Sequence, residues 1–172
     1  MASFCQGDAQ AFDALFARYQ RPVYAFLVRL VGPRTAEDLT QATFLSVVRA
    51  RGRFRKDARF RPWLYAIATN AARDFLRRSK AERLTAQGDA PADPAAEDTA
   101  AAFDPGLQQA VHQALQQLPE GQRLAITLHR FQNLSFAEIA EALDLTESAV
   151  KVRAHRGYER LRDLLRAVWE EK

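Results

Sequence analysis

Residues 84–106, LTAQGDAPADPAAEDTAAAFDPG, limit the possible folds more than any other stretch. Ala, Asp, Pro and Gly dominate it, apolar periodicity is almost absent, and Pro91, Pro94 and Pro105 resist helix formation. One continuous core cannot run through such a segment. The chain is therefore expected to form two modules, residues 1–83 and 107–172, joined by a flexible linker over 84–106. Charge divides at nearly the same places. Residues 1–80 carry 15 Lys/Arg against 6 Asp/Glu, net +9; residues 81–106 carry 1 against 6, net −5; residues 107–172 carry 9 of each. A basic front module is the electrostatic footprint of a polyanion binder.

Within both modules the apolar residues recur at helical spacing, and no segment alternates as a strand does, so the fold class is all-α. A first helix is expected over 8–30, with Asp8 as N-cap, Pro22 kinking or dividing it, and Gly32-Pro33 stopping it. The next should start near Thr35 and bury Leu39, Ala42, Leu45 and Val48, with Phe44 at the edge and Asp38, Gln41 and Thr43 polar. Another runs from about Ala58 to Arg83, burying Leu64, Ile67, Ala68, Ala71 and Phe75. In the second module, helices are expected over Leu107–Leu118 and from Glu120 to about Phe131. No apolar run is long enough to span a bilayer, the N-terminus has no secretion-signal pattern, and Cys5 is the only cysteine. Together these fit a cytoplasmic protein without internal disulfides.

Two stretches carry chemistry. In the first, Arg49, Arg51, Arg53, Arg55, Lys56, Arg59 and Arg61 face one acid, Asp57, with Phe54, Phe60, Trp63 and Tyr65 threaded through. Trp63, Ala66, Asn70, Arg73 and Arg77 then share one face of the following helix. Cations beside flat rings suit single-stranded nucleic acid, the cations tracking phosphates and the rings stacking on bases. A solvated basic loop leading into a helix with core aromatics explains the same residues, and Trp63 fits either reading.

The second stretch is a helix-turn-helix. Ser135 and Glu138 form a capping box ahead of Ile139, Ala140 and Leu143; Asp144-Leu145-Thr146 is the turn; Thr146 caps a last helix from Glu147 to about Trp169. That helix splits by face. Val150, Ala154, Gly157, Leu161, Leu164 and Val168 point inward, with the small residues at 154 and 157 expected to admit the first helix of the pair. Ser148, Lys151, Val152, His155, Arg156 and Glu159 point outward. Lys151 and Arg156 can donate to guanine, Ser148 and His155 can bond bases or phosphates, and Val152 can meet a thymine methyl.

The whole pattern resembles a bacterial RNA polymerase sigma factor of the extracytoplasmic-function group. AFDALFARYQRPVYAFLVRLVG, AEDLTQATFLSVVRA and FRPWLYAIATNAARDFLRR look like the family's region 2, and LPEGQRLAITLHRFQNLSFAEIAEALDLTESAVKVRAHRGYERLRDLL like its region 4. The resemblance implies a region 2 helical bundle and a region 4 helix-turn-helix. It implies that Asp38, Leu39, Gln41 and Phe44 bind the coiled coil of the polymerase largest subunit, and that region 4 meets the polymerase flap. It assigns the −10 promoter element to Arg53, Phe54, Arg55, Lys56, Arg59, Phe60, Arg61, Trp63, Asn70, Arg73 and Arg77. The −35 element falls to Ser148, Lys151, Val152, Arg153, His155 and Arg156, with Arg153 on phosphate. Asp89, Asp93, Glu97 and Asp98 would carry the linker through the polymerase channel, and an anti-sigma factor is implied as partner. Ala149 and Tyr158 depart from the family's usual residues and leave the promoter sequence open.

Two other functions fit less well. A stand-alone helix-turn-helix regulator would need a receiver or ligand domain, and no alternating strand pattern supplies one. An enzyme would need a catalytic constellation. His112, His129 and His155 stand in no metal-ligand spacing, and no phosphate loop or nucleophile elbow is present. No cofactor or metal is expected.

Overall fold

The computed structural model describes residues 2–55, 57–85 and 105–170, the side chains of residues 83–85, 105, 108 and 167–170 excepted. Eight helices are described: α1 (Ala2–Cys5), α2 (Ala9–Val31), α3 (Pro33–Ala50), α4 (Phe60–Thr85), α5 (Pro105–Gln116), α6 (Glu120–Ile126), α7 (Phe136–Leu143) and α8 (Glu147–Glu170). They fall into two compact units, Met1–Asp93 and Pro94–Lys172.

In the first unit, α2, α3 and α4 pack together around Val23, Phe26, Leu27, Phe44, Leu64 and Tyr65, all nearly inaccessible to solvent. Burying side chains of this size contributes about 1.5–3 kcal/mol each. Asp8 caps α2 by accepting from the N–H groups of Gln10 (2.9 Å) and Ala11 (3.3 Å). Pro22 neither divides α2 nor ends it; the helix forgoes one hydrogen bond there and continues to Val31. Gly32 is the real breakpoint. At φ 84° it adopts a conformation that side-chain-bearing residues avoid, and it serves at once as C-cap of α2 and N-cap of α3. Pro33 therefore starts α3 rather than stopping α2, in the first-turn position where its missing N–H costs nothing.

The buried face of α3 differs from the one its apolar residues suggest. Ala36, Thr40, Thr43, Phe44 and Val47 face inward, while Ala42 is exposed and Leu45 is 58% exposed. Two threonines can be buried because their hydroxyls bond backward along the helix. Thr40 Oγ1 donates to the carbonyl of Ala36 (2.7 Å) and Thr43 Oγ1 to that of Leu39 (2.6 Å). With their hydroxyls satisfied, the threonines pack through their methyl groups and Phe44 turns into the core. The face of α4 is also turned. Leu64 and Ala68 are buried as expected, joined by Tyr65, Thr69 and Ala72, while Ile67, Ala71 and Phe75 remain partly exposed. Tyr65 is therefore core and unavailable for stacking. Its ring meets Phe26 edge-on at 5.3 Å, and burial pushes its hydroxyl pKa well up.

Helix α1 has no counterpart in the sequence reading. Four residues are too short for a periodicity, but Phe4 is buried and stacks on Phe12 at 6.1 Å. Phe12 and Phe16 then reach Phe44 at 6.5 and 4.9 Å.

In the second unit, the ends of α5 and α6 enclose Leu115, Leu118 and Ile126, with Val111, Phe131, Leu161 and Leu164 packed against them. Helix α5 begins at Pro105, inside the stretch read as linker, and Leu84 and Thr85 belong to α4 at the other end. The linker acids Asp89, Asp93, Glu97 and Asp98 lie outside the described residues. Helix α6 changes at Thr127 into a π turn over Thr127–Phe131, closed by the Leu134 N–H donating to the Leu128 carbonyl at 3.1 Å. His129 Nδ1 lies 2.9 Å from the Leu134 carbonyl, and its ring stacks on Phe136 at 4.3 Å. This fixes the entry to α7.

Candidate functional sites

The helix-turn-helix forms as its capping pattern requires. Ser135 Oγ accepts from the Glu138 N–H (3.2 Å), while Glu138 Oε2 accepts from the Ser135 N–H (2.9 Å). Asp144 ends α7 in the left-handed conformation, φ 53°. Thr146 Oγ1 then accepts from the Ala149 N–H at 3.2 Å and opens α8.

Helix α8 separates its faces sharply. Val150, Ala154 and Gly157 are buried; Ser148, Lys151, Val152, His155 and Arg156 are exposed, Val152 at 45%. Two of the outward side chains lie beside acids one turn along the helix. Lys151 Nζ lies 2.7 Å from Glu147 Oε1, and His155 Nδ1 lies 3.4 Å from Glu159 Oε2. Arg153, read as a phosphate contact, is half-buried and lies across α6. A methyl placed on Gly121 would come within 3.2 Å of Arg153 Nη1. Its angular position on α8 lies between the inward and outward faces. Gly157 also has a different neighbour from the one expected. It receives α6, at Gln122 and Ile126, rather than α7. Val168 has no described side chain.

In the first unit the basic stretch divides into a short 3-10 turn at Arg51–Arg53, an irregular loop, and the start of α4 at Phe60. Its aromatics make one cluster. Phe54 meets Trp63 at 4.9 Å and Phe60 at 6.4 Å, Phe60 and Trp63 are 5.9 Å apart, and Tyr19 of α2 reaches Phe60 at 5.3 Å. Phe54, Phe60 and Trp63 are all half-buried, so Trp63 joins the two readings: part of its ring is packing and part is open. Asp57 grips Arg55 with both oxygens, at 3.1 and 2.6 Å. That hydrogen-bonded guanidinium holds the Asp57 carboxyl below the usual carboxylate range. Arg53, Arg59, Asn70 and Arg77 are exposed, Arg61 and Arg73 half-exposed, and Arg77 is anchored to Asp74 at 3.0 Å. Lys56 lies outside the described residues.

On α3, Asp38 and Gln41 are exposed and Leu39 is half-buried. Phe44, expected at the polymerase contact, is 3% exposed and spends its ring on Phe12 and Phe16. Leu45 takes the outward position that Phe44 was assigned, on the same face as Asp38, Gln41 and Ala42. Leu45 was expected in the core with the other apolar residues of α3, and it is exposed instead. Beside this face a groove of about 440 Å³ runs between α2 and α3, lined by Phe16, Gln20, Arg21, Tyr24, Glu37, Thr40 and Gln41. No group of His, Cys, Asp and Glu suited to a metal occurs among the described residues, and none of their helices is long and apolar enough to cross a membrane.

Comparisons with known proteins agree with this layout. Residues 15–82 match the family model for Sigma-70 region 2, and residues 108–161 match that for Sigma-70, region 4. RNA polymerase sigma factor CarQ of Myxococcus xanthus is 45% identical over 169 residues, spanning 96% of this chain and 95% of the relative. The RNA polymerase sigma-H factor of Pseudomonas aeruginosa is 34% identical over 177 residues, covering 96% and 92%. The ECF RNA polymerase sigma-E factor of Escherichia coli is 33% identical over 172 residues, covering 90% and 86%. Among solved structures, CnrH in complex with the cytosolic domain of CnrY aligns with a TM-score of 0.74 at 28% identity, covering 96% of this chain and 94% of that one. RpoE in complex with the anti-sigma factor NepR from Bartonella quintana shares the fold, with a TM-score of 0.82 at 24% identity over 92% and 98%. The chain belongs to the sigma-70 family of RNA polymerase sigma factors, in its extracytoplasmic-function group. Such proteins direct transcription together with core RNA polymerase.

Proposed function

We propose that this sigma factor reads the −35 element as duplex through α8 and opens the −10 element by capturing the non-template strand on the first unit. The observation that carries the reading is the outward face of α8. Lys151, Val152, His155 and Arg156 lie exposed together behind a well-capped turn, and an exposed valine among cations suits a groove containing thymine methyl groups.

For the −10 element, Arg53, Arg55, Arg59 and Arg61 attract the strand, while the open parts of Phe54, Phe60 and Trp63 offer surfaces on which an unpaired base can stack. Asn70, Arg73 and Arg77 lie further along the same helix, toward the duplex junction. Unstacking a base costs a few kcal/mol. Stacking on aromatics returns about 1–3 kcal/mol per base, so a strand opened by thermal motion can be held without a catalytic residue. Asp38, Leu39 and Gln41, with Leu45 in the place first given to Phe44, face the coiled coil of the polymerase largest subunit, and the second unit meets the flap. CnrH and the RpoE above were each solved with a binding partner, which supports an anti-sigma factor for this chain too.

Transcription of a genomic fragment library by core RNA polymerase, with and without the chain, tests the reading. Start sites that require the chain and share two spaced upstream elements are expected. Identical start sites in both reactions would refute it.

A further inference from the structure

Glu147 has no part in the reading of DNA given above. It is the first residue of α8, directly after the Thr146 cap, at the end of a recognition helix that meets base edges first. A carboxylate there is repelled by phosphate, yet it sits 2.7 Å from the ammonium of Lys151.

We propose that Glu147 is a specificity-determining residue for −35 readout: it tethers Lys151 so that the ammonium answers to base edges rather than to phosphates. The inference rests on α8 being the −35 reader. Its logic is a count of donors and charges. A lysine ammonium has three N–H donors, and Glu147 occupies one. The remaining two suffice for N7 and O6 of one guanine, neutral acceptors that leave the Glu147 pair intact. A phosphate oxygen is different. Bringing it to the same ammonium sets it beside the Glu147 carboxylate, and the two anions repel. Lys151 therefore meets an obstacle at phosphate that it does not meet at guanine. An untethered lysine, a compact charge on a flexible stem, has no such bias. The second Glu147 oxygen can in turn accept from a cytosine amino group on a neighbouring pair. With side chains 56% and 48% exposed, the Lys151–Glu147 pair is weak in the free protein. It strengthens where the groove excludes water.

Glu147→Gln tests this, because it keeps the size and one acceptor oxygen and removes the charge. The full chain is assembled with core RNA polymerase and presented with duplexes carrying only the −35 half of a promoter. One duplex is enriched from a randomised pool by the wild-type holoenzyme, and the other is its scrambled counterpart. Glu147→Gln should tighten binding to the scrambled duplex and lower the preference for the enriched one by at least about threefold. The salt dependence on the scrambled duplex should steepen by about one unit, as one more phosphate is engaged. Arg156→Ala separates the possible failures. If it lowers the preference while Glu147→Gln changes neither preference nor salt slope, the role of Glu147 is overturned and α8 stands as reader. If the wild type itself enriches no sequence, both fall.

Discussion

A methyl group on Gly157 would lie 2.8 Å from Cδ1 of Ile126, closer than non-bonded carbons approach. The same methyl would lie 3.1 Å from Cβ of Gln122. Gly157 thus sets how closely α6 seats against the recognition helix, and through α6 how α8 is held on the core of Leu115, Leu118 and Ile126.

Gly157→Ala should therefore destabilise the second unit by about 1–3 kcal/mol, the usual cost of an overpacked contact. Ile126→Val should recover part of that loss, although alone it costs about 0.5–1.5 kcal/mol. Denaturant unfolding of the four members of this cycle measures the coupling directly.

Neighbouring residues on α3 should behave in opposite ways. Phe44→Ala removes a buried ring and should cost about 3–5 kcal/mol of stability. Leu45→Ala should change stability by less than about 0.5 kcal/mol, yet weaken assembly with core polymerase. Thermal unfolding together with a polymerase-binding titration separates the two effects.

Much of this arrangement was legible in the sequence because helix caps and heptad-like spacings are local. Ser135, Glu138 and Thr146 cap the helices they were read to cap, and the outward set on α8, Ser148, Lys151, Val152, His155, Arg156 and Glu159, is exposed as read. What was not legible depended on contacts made elsewhere. Thr40 and Thr43 look polar until their hydroxyls bond back to the helix. Phe4 looks like part of a loose terminus until it stacks on Phe12. Arg153 and Gly157 were placed on the right helix, but the sequence could not say that α6 would be the neighbour of both.

Asp57 supplies a pH test of the loop proposed to capture the −10 strand. Its folded-state pKa is depressed by the hydrogen bonds from Arg55, so its contribution to loop order is fully present above the ordinary carboxylate pKa. That contribution is lost as pH falls through the lower, folded value. Carboxyl NMR titration should find Asp57 below 3.8, and Arg55→Ala should raise it toward that value.

On the second unit, Arg156→Ala should weaken binding of a cognate −35 duplex by about 1–3 kcal/mol if the guanidinium meets a base edge. Should it meet only phosphate, enriched and scrambled duplexes would weaken equally. Competition binding at fixed salt decides between them.

Permanganate reactivity of unpaired thymines tests the central claim most directly, because it reports the strand opening assigned to the first unit separately from the duplex reading assigned to the second. On a promoter used by the wild-type holoenzyme, Asn70→Ala should leave the closed complex bound but reduce thymine reactivity across the −10 element, whereas Arg156→Ala should reduce binding itself. Full reactivity with Asn70→Ala, and likewise with Arg53 and Arg55 neutralised, would contradict the account.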